Sequence, residues 1–200
     1  NDVVISDFRQ NTSTSSFTLK GFGVEKRVEW PLQGEFNARN AAMAIVGASL
    51  VAGFENPLAI NSECLANFHG VKRRQEVILN TPKVIAVEDF GHHPTAIEMT
   101  ISSLRAKYPD RKIWACFEPR SNTAKRNVLQ AQFASALDTA DKAFIGAADT
   151  SKVAEGMRVD TAKMAASDPS KIRSFATNAE LLAELESQVR KSPDRLLCVF

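Results

Sequence analysis

Two hundred residues with 44% hydrophobic and 24% charged side chains describe an ordinary globular chain of one or two domains. A formal net charge of +2, with no basic run beyond Lys72-Arg73-Arg74, argues against a dedicated nucleic-acid binder. No apolar run approaches the ~20 residues that span a bilayer, and no signal peptide stands at Asn1, so neither membrane nor nucleic acid is an expected partner.

Residues 1–33 read as short strands and turns. Ser16–Leu19 and Arg27–Trp30 alternate in the β manner, and Gly21-Phe22-Gly23 between them reads as a hairpin turn. Those glycines do not make a dinucleotide loop, because no third glycine follows at the required spacing and no helix begins there. The spacing predicts a helix over 37–53. Asn37 is its expected cap, Ala42, Ile45, Val46 and Leu50 its apolar stripe, and Gly53 its stop. A second helix is predicted from about Pro57 to Phe68, ended by Gly70. The charged segment Val71–Glu76 then leads into a strand at Glu76–Leu79, and Asn80-Thr81-Pro82 marks a turn.

From residue 83 strands and helices alternate. Strand Val84–Val87 precedes a helix from Pro94 to about Lys107, with Ile97, Ile101 and Leu104 at i, i+4, i+7. Strand Ile113–Phe117 precedes a helix around Lys125–Leu137, with Leu129, Phe133 and Leu137 inward. Strand Ala143–Ile145 is followed by a polar, less regular stretch over 147–170, with one short helix near Thr161–Ala166. Strand Ile172–Phe175, a helix from Asn178 to Lys191 and strand Leu196–Phe200 complete the pattern. Such alternation predicts an α/β fold with a mostly parallel sheet covered on both faces, and a domain boundary near Asn80–Lys83. The lack of an initial Met, and an end inside an apolar strand, lead us to expect a piece of a longer chain.

Cys64, Cys116 and Cys198 show neither C-x-x-C nor any metal-ligand spacing. They read as buried free thiols in a reducing cytoplasm. His69, His92 and His93 include no ligand pair, so no zinc or other metal site is expected. H-E-x-x-H, G-x-S-x-G and G-x-x-x-x-G-K-[ST] are all missing.

The chemistry concentrates at strand ends. Val84–Val87 runs into Glu88-Asp89-Phe90-Gly91-His92-His93-Pro94-Thr95, and Pro94 suits the first position of a helix. Two carboxylates and two imidazoles thus stand between a strand end and a helix start, where open α/β sheets bind ligands and helix N–H groups favour anions. Asp89 is compatible with accepting ribose hydroxyls and equally with closing a turn on its own backbone. His92 and His93 can meet phosphate or serve the fold. Glu118-Pro119-Arg120-Ser121-Asn122-Thr123 follows the next strand in the equivalent place. Arg120 can fork onto a carboxylate, while Ser121, Asn122 and Thr123 can bind or cap. Asn37 and Asn40 can read an adenine edge, although capping is the commoner use of an asparagine at a helix start. Lys72, Arg73 and Arg74 suit phosphate or a solvated turn between domains.

Taken in order, four segments resemble the Mur ligase family of peptidoglycan synthesis. They are Gly34-Glu35-Phe36-Asn37-Ala38-Arg39-Asn40-Ala41, Arg73-Arg74-Gln75-Glu76, Glu88–Thr95 and Glu118–Thr123. Two departures are visible: Phe36 stands where the family pattern has histidine, and Glu88 where it has aspartate. The Glu118–Thr123 loop is most similar to family members of peptidoglycan recycling, which join L-alanyl-γ-D-glutamyl-meso-diaminopimelate to UDP-N-acetylmuramate.

The resemblance implies a cytoplasmic, ATP- and Mg²⁺-dependent amide ligase that works through an acyl phosphate. It places the phosphate loop, the Mg²⁺ carboxylates and a UDP-sugar domain upstream, in the same parent chain. Residues 1–80 would be the C-terminal part of the central α/β ATP-binding domain, and 81–200 a Rossmann-like, peptide-binding C-terminal domain. Asn37, Asn40, Asp89, His92 and His93 would serve the nucleotide, with Asn40 at adenine and Asp89 at ribose. Arg73 and Arg74 would belong to a phosphate-side hinge, and Arg120, Ser121, Asn122 and Thr123 would face the tripeptide. This piece alone is expected to be inactive. Two alternatives are a fragment of the L-alanine-adding family member, which would select free alanine, and a non-catalytic α/β module that binds nucleotide or peptide.

Overall fold

The computed structural model describes residues 2–200, which form two compact units divided between Val71 and Lys72. In the first unit, β1 (Val4–Gln10), β2 (Ser15–Gly21) and β3 (Val24–Trp30) make an antiparallel sheet in that order. Helix α1 (Glu35–Val51) covers it. Phe17, Leu19, Val28 and Trp30 pack with Ala38, Ala41, Ala42, Ile45 and Leu58 as one core. The small alanines turn the buried stripe of α1 away from the expected one, and Leu50 is 59% exposed. The expected helix over Pro57–Phe68 is reduced to a 3-10 turn at Glu63–Asn67. Asn56 and Asn61 divert the chain there by accepting bonds from the N–H groups of Leu58 (2.9 Å) and Glu63 (2.8 Å).

The β2–β3 hairpin has a two-residue turn in which Phe22 (φ 51°) and Gly23 (φ 73°) are both left-handed. This is the twist-matched type that favours Asn-Gly, so Phe22 is strained. Phe22→Asn is expected to raise stability by about 0.5–1 kcal/mol, measured as a higher midpoint in urea.

The second unit holds β4 (Glu76–Asn80), β5 (Val84–Glu88), α2 (Pro94–Lys107), β6 (Lys112–Phe117), α3 (Gln130–Asp138), β7 (Lys142–Ile145), α4 (Thr161–Ala165), β8 (Ile172–Ser174), α5 (Asn178–Lys191) and β9 (Leu196–Val199). Its sheet runs β4-β5-β9-β6-β7-β8, parallel except for β4. The division between the units falls at Val71/Lys72, earlier than Asn80–Lys83, because β4 pairs with β5 and so joins the second sheet.

Alternate residues of each parallel strand point to opposite faces, which is why these strands read as unbroken apolar runs. Ile113, Ala115 and Phe117 face α2, α3 and α4, while Trp114 and Cys198 face Leu181 and Leu185 of α5. The chain advances along the sheet from β5 to β8, then returns so that β9 inserts between β5 and β6. Crossovers of one hand taken in opposite directions put their helices on opposite faces, so α5 lies alone on its side. The result is the mostly parallel, Rossmann-like α/β arrangement expected from the alternation.

Helix boundaries follow local chemistry. Pro94 opens α2, Arg105 and Lys107 occupy its last turn, and the Thr177 side chain accepts the Glu180 N–H at the start of α5. The helix expected from Lys125 starts as α-helix only at Gln130, after a 3-10 turn at Asn127–Leu129. Tertiary hydrogen bonds claim Lys125 and Asn127 instead. On α2, the hydroxyl of Ser103 is buried without a partner. Ser103→Ala removes an unsatisfied group and improves helix propensity. It is expected to stabilise by about 1 kcal/mol, read as a higher thermal midpoint. Among the described residues, no helix is long and apolar enough to cross a membrane.

Candidate functional site

A cleft of about 790 Å³ lies outside the C-terminal ends of β5, β9, β6 and β7. This is where doubly wound sheets bind ligands. Its floor is apolar, with Ile97, Ala115, Phe117 and Val199 among the lining, and its rim carries Arg73, Asp89, His92, Arg120 and Ser121. The two strand-end segments singled out in the sequence therefore meet at one cleft. His93, Arg74, Asn122 and Thr123 lie off its lining, and Asn37 and Asn40 belong to the first unit.

Asp89 is committed to its own chain. Its carboxylate accepts bonds from the Gln75 N–H (3.0 Å), the Gly91 N–H (2.8 Å) and the Thr100 hydroxyl (3.3 Å). Those bonds hold a strained turn, since Arg73 (φ 62°) and Gln75 (φ 53°) are both left-handed. Left-handed backbone at a non-glycine residue costs of order 1–3 kcal/mol. Bonds from N–H to a carboxylate contribute about 1.5–3 kcal/mol each, enough to offset that cost. Arg73 adds an ion pair with Glu88 (2.6 Å), and its N–H donates to Glu76 (2.8 Å). The guanidinium groups of Arg73 and Arg74 lie 5.5 and 5.3 Å from the ring centre of Phe90. Sequence reading missed Gln75 and Thr100, because their partner Asp89 is remote along the chain.

The two histidines differ in what they offer. Nδ1 of His92 lies 3.1 Å from the carbonyl oxygen of Phe90, which can only accept. Nδ1 of His92 therefore carries the proton, and Nε2 of the neutral ring is left as an acceptor. His93 is the N-cap of α2, and its Nδ1 accepts the Thr95 N–H at 3.3 Å. In its neutral form Nε2 of His93 is therefore a donor, suited to an anionic oxygen.

Arg120 is the freest cation of the rim. Its side chain is 74% exposed, and its ion-pair partner Glu118 stands 3.7 Å away. Ser121 lines the cleft and also closes the local turn, since its hydroxyl accepts the Ala124 N–H at 3.0 Å. Asn178 and Gly146, which the sequence reading passed over, complete the far rim. Asn178 accepts the Ala147 N–H at 3.1 Å, and a Cβ on Gly146 would stand 2.4 Å from the same oxygen, so a larger residue there would have to push the Asn178 side chain off that bond. A glycine at a strand end beside a helix start was the available signal.

Asn37 does not cap α1. The cap position is Gly34 (φ 89°), and Asn37 lies inside the first turn with its amide donating to the Gln33 carbonyl at 2.7 Å. Asn40 in turn donates to the Asn37 side-chain oxygen at 3.4 Å. Cys64 is exposed rather than buried. Burial pushes the Cys198 thiol up to about 11 and the thiol of Cys116, on the cleft wall, higher still, so neither is a nucleophile near neutral pH.

Comparison with known proteins agrees with this architecture. The family described as "Mur ligase, glutamate ligase domain" matches residues 73–200. UDP-N-acetylmuramate–L-alanine ligase of Streptococcus pyogenes is 37% identical over 147 residues, covering 72% of this chain and 32% of that protein. The chain thus spans about a third of the length of the curated relatives it matches (32%). The structure of the UDP-N-acetylmuramate–alanine ligase of Thermotoga maritima aligns with a TM-score of 0.71 at 19% identity, covering 99% of this chain and 41% of that one. The murein peptide ligase of Psychrobacter arcticus aligns at 0.63 and 23% identity, covering 100% and 40%. At those identities the two structures share the fold. With the family match over most of its length, the chain belongs to the Mur ligase family.

Proposed function

We propose that this chain is the C-terminal part of an ATP-dependent amide ligase that joins L-alanyl-γ-D-glutamyl-meso-diaminopimelate to UDP-N-acetylmuramate in peptidoglycan recycling. The observation that carries this reading is the cleft, about 790 Å³ with an apolar floor and the largely exposed guanidinium of Arg120 at its rim, held only by a 3.7 Å ion pair with Glu118. Such a volume suits an extended ligand, and far exceeds the needs of the single methyl group of alanine. An Arg fork matches the carboxylates in which the tripeptide is rich.

In this reading ATP activates the muramate carboxylate as an acyl phosphate. The peptide α-amine attacks the activated carbonyl carbon, the new C–N bond forms, and phosphate leaves with the C–O bonding pair. The amine loses its proton to complete the amide. This chain's share is to bind and orient the amine substrate, through Arg120 and the Ser121–Thr123 turn. Asn37, Asn40, His92 and His93 stand as proposed nucleotide contacts. Asp89 contributes chiefly by holding the Arg73–Glu76 turn, because its carboxylate is already occupied. The cleft carboxylates do not fit a Mg²⁺ site: Glu88 is paired with Arg73, and Asp89 is filled by N–H and O–H donors. The ligands of the metal therefore belong, in this proposal, to the rest of the parent chain.

The alternative, addition of L-alanine, is favoured by the name borne by the 37% identical relatives. A ligation assay on the full-length parent, offering tripeptide or L-alanine with MgATP and UDP-N-acetylmuramate, separates the two. Turnover with tripeptide alone is expected, and turnover with L-alanine alone would replace the proposal by the alternative.

A further inference from the structure

Residues 147–160 contribute nothing to the cleft lining. They leave the end of β7 and reach α4 by a long detour, passing through a 3-10 turn at Glu155–Met157. The detour is ordered by its own bonds. Ser151 donates to Asp149 through both N–H (3.1 Å) and hydroxyl (2.7 Å), and Arg158 Nε donates to the Val153 carbonyl at 2.9 Å. The buried side chain of Val153 anchors it.

What the detour meets is the chain just after Arg120. The Val159 N–H donates to the Lys125 carbonyl at 3.0 Å, and the Asn127 amide donates to the Gly156 carbonyl at 3.0 Å. The Asp160 N–H donates to the Gln130 side chain at 2.7 Å, and Arg126 bridges Arg158 in antiparallel register. On the other shoulder of the loop, the Gly146 N–H donates to the Phe117 carbonyl at 2.9 Å. The turn between is closed on itself, with the Lys125 N–H on the Ser121 carbonyl (3.0 Å) and Ala124 buried beneath it. One continuous stretch, 146–160, thus holds both ends of the Arg120 loop through directional polar bonds. The Arg120 side chain itself stays 74% exposed, with Glu118 its ion-pair partner at 3.7 Å.

We propose that residues 147–160 are a brace that sets where the Arg120 loop stands over the cleft and so tunes selection of the amine substrate, with Asn127 and Gln130 as its positioning residues. This rests on the reading of the cleft as the incoming-amine site. A side chain that must meet a carboxylate in a fork needs its backbone held to a fraction of an ångström, and a loop alone does not supply that.

The test compares Asn127→Ala, Asn127→Gln and the unaltered protein in the full-length ligase. Asn127→Ala is expected to raise KM for the tripeptide about fivefold, the effect of one lost hydrogen bond, with kcat within about twofold and KM for ATP unchanged. Asn127→Gln, which keeps the amide donor, is expected to recover most of that loss. An unchanged tripeptide KM, or a parallel shift of every constant together with a lower thermal midpoint, overturns the proposal. If the unaltered ligase turns over neither amine, the functional reading fails, and the brace is then judged by hydrogen exchange. Faster exchange of the Ala124–Arg126 amides in Asn127→Ala upholds it, and unchanged exchange defeats it.

Discussion

Arg120→Ala is expected to lower kcat/KM for the tripeptide by about 30- to 4,000-fold in the full-length ligase, with the loss concentrated in KM for the amine substrate. The magnitude follows from the chemistry of the contact. Removing one partner of a desolvated, hydrogen-bonded charge pair costs about 2–5 kcal/mol, and each 1.4 kcal/mol is about tenfold. Arg120 has the means to make such a contact, since its guanidinium is solvent-facing and its ion-pair partner Glu118 stands at 3.7 Å. The same exposure means that the fold does not depend on it, so the thermal midpoint of Arg120→Ala is expected to stay within about 1 °C of the parent, as for other surface substitutions. Arg120→Lys keeps the charge but loses the fork, and is expected to recover only a minor part of the activity. Equal kcat/KM for Arg120→Ala and the parent would show that the tripeptide does not meet this loop.

Arg111→Met is expected to destabilise the second unit by about 2–3 kcal/mol without touching the cleft. Arg111 is 7% exposed and has no carboxylate partner among the described residues. Its guanidinium instead donates to four backbone carbonyls, those of Leu196 (3.1 Å), Lys83 (3.3 Å), Thr81 (3.4 Å) and Pro82 (3.4 Å). These carbonyls gather where β5 and β9 begin, so a single side chain ties the neighbouring strand starts together at the end of the sheet opposite the cleft. Methionine fills similar space but takes a donor from all four carbonyls; Lys83 keeps the Leu196 N–H (2.8 Å) and Pro82 the Arg195 Nε–H (3.3 Å), so the loss corresponds to about one or two unsatisfied groups at about 1–3 kcal/mol each. Arg111→Lys brings one nitrogen in place of the fork, so an intermediate loss is expected. Urea denaturation followed by tryptophan fluorescence reads the effect, Trp114 being buried in this sheet. A midpoint unchanged in Arg111→Met would mean that the carbonyls are satisfied by water.

The strand–helix alternation after residue 83 was legible because its signals are local. Pro94 at a helix start, basic residues in the last turn of α2 and the Thr177–Glu180 cap lie within four residues of what they control. The α2 and α5 boundaries follow directly from them. The strand-end positions of Asp89, His92 and Arg120 were legible for the same reason, and all three line one cleft. Their division of labour was not. Asp89 reads as a ligand contact until Gln75 and Thr100, fourteen and eleven residues away, are seen to occupy its carboxylate. The first unit was less legible, because its helix buries alanines rather than the larger apolar residues that periodicity weighs most.

By itself, then, the sequence determined the element types after residue 83, the concentration of polar chemistry at two strand ends and the resemblance that those motifs carry. The tertiary structure alone decided that β9 lies between β5 and β6, that β4 belongs to the second unit, and that the helix after Arg120 begins only at Gln130. It also decided that residues 147–160 hold the loop in front of that helix. The physical reason is range. Helix starts and stops are set by bonds spanning three or four residues, whereas strand order and loop bracing come from pairings tens of residues apart, such as Val159 to Lys125. Such pairings leave no periodic trace in the chain that makes them.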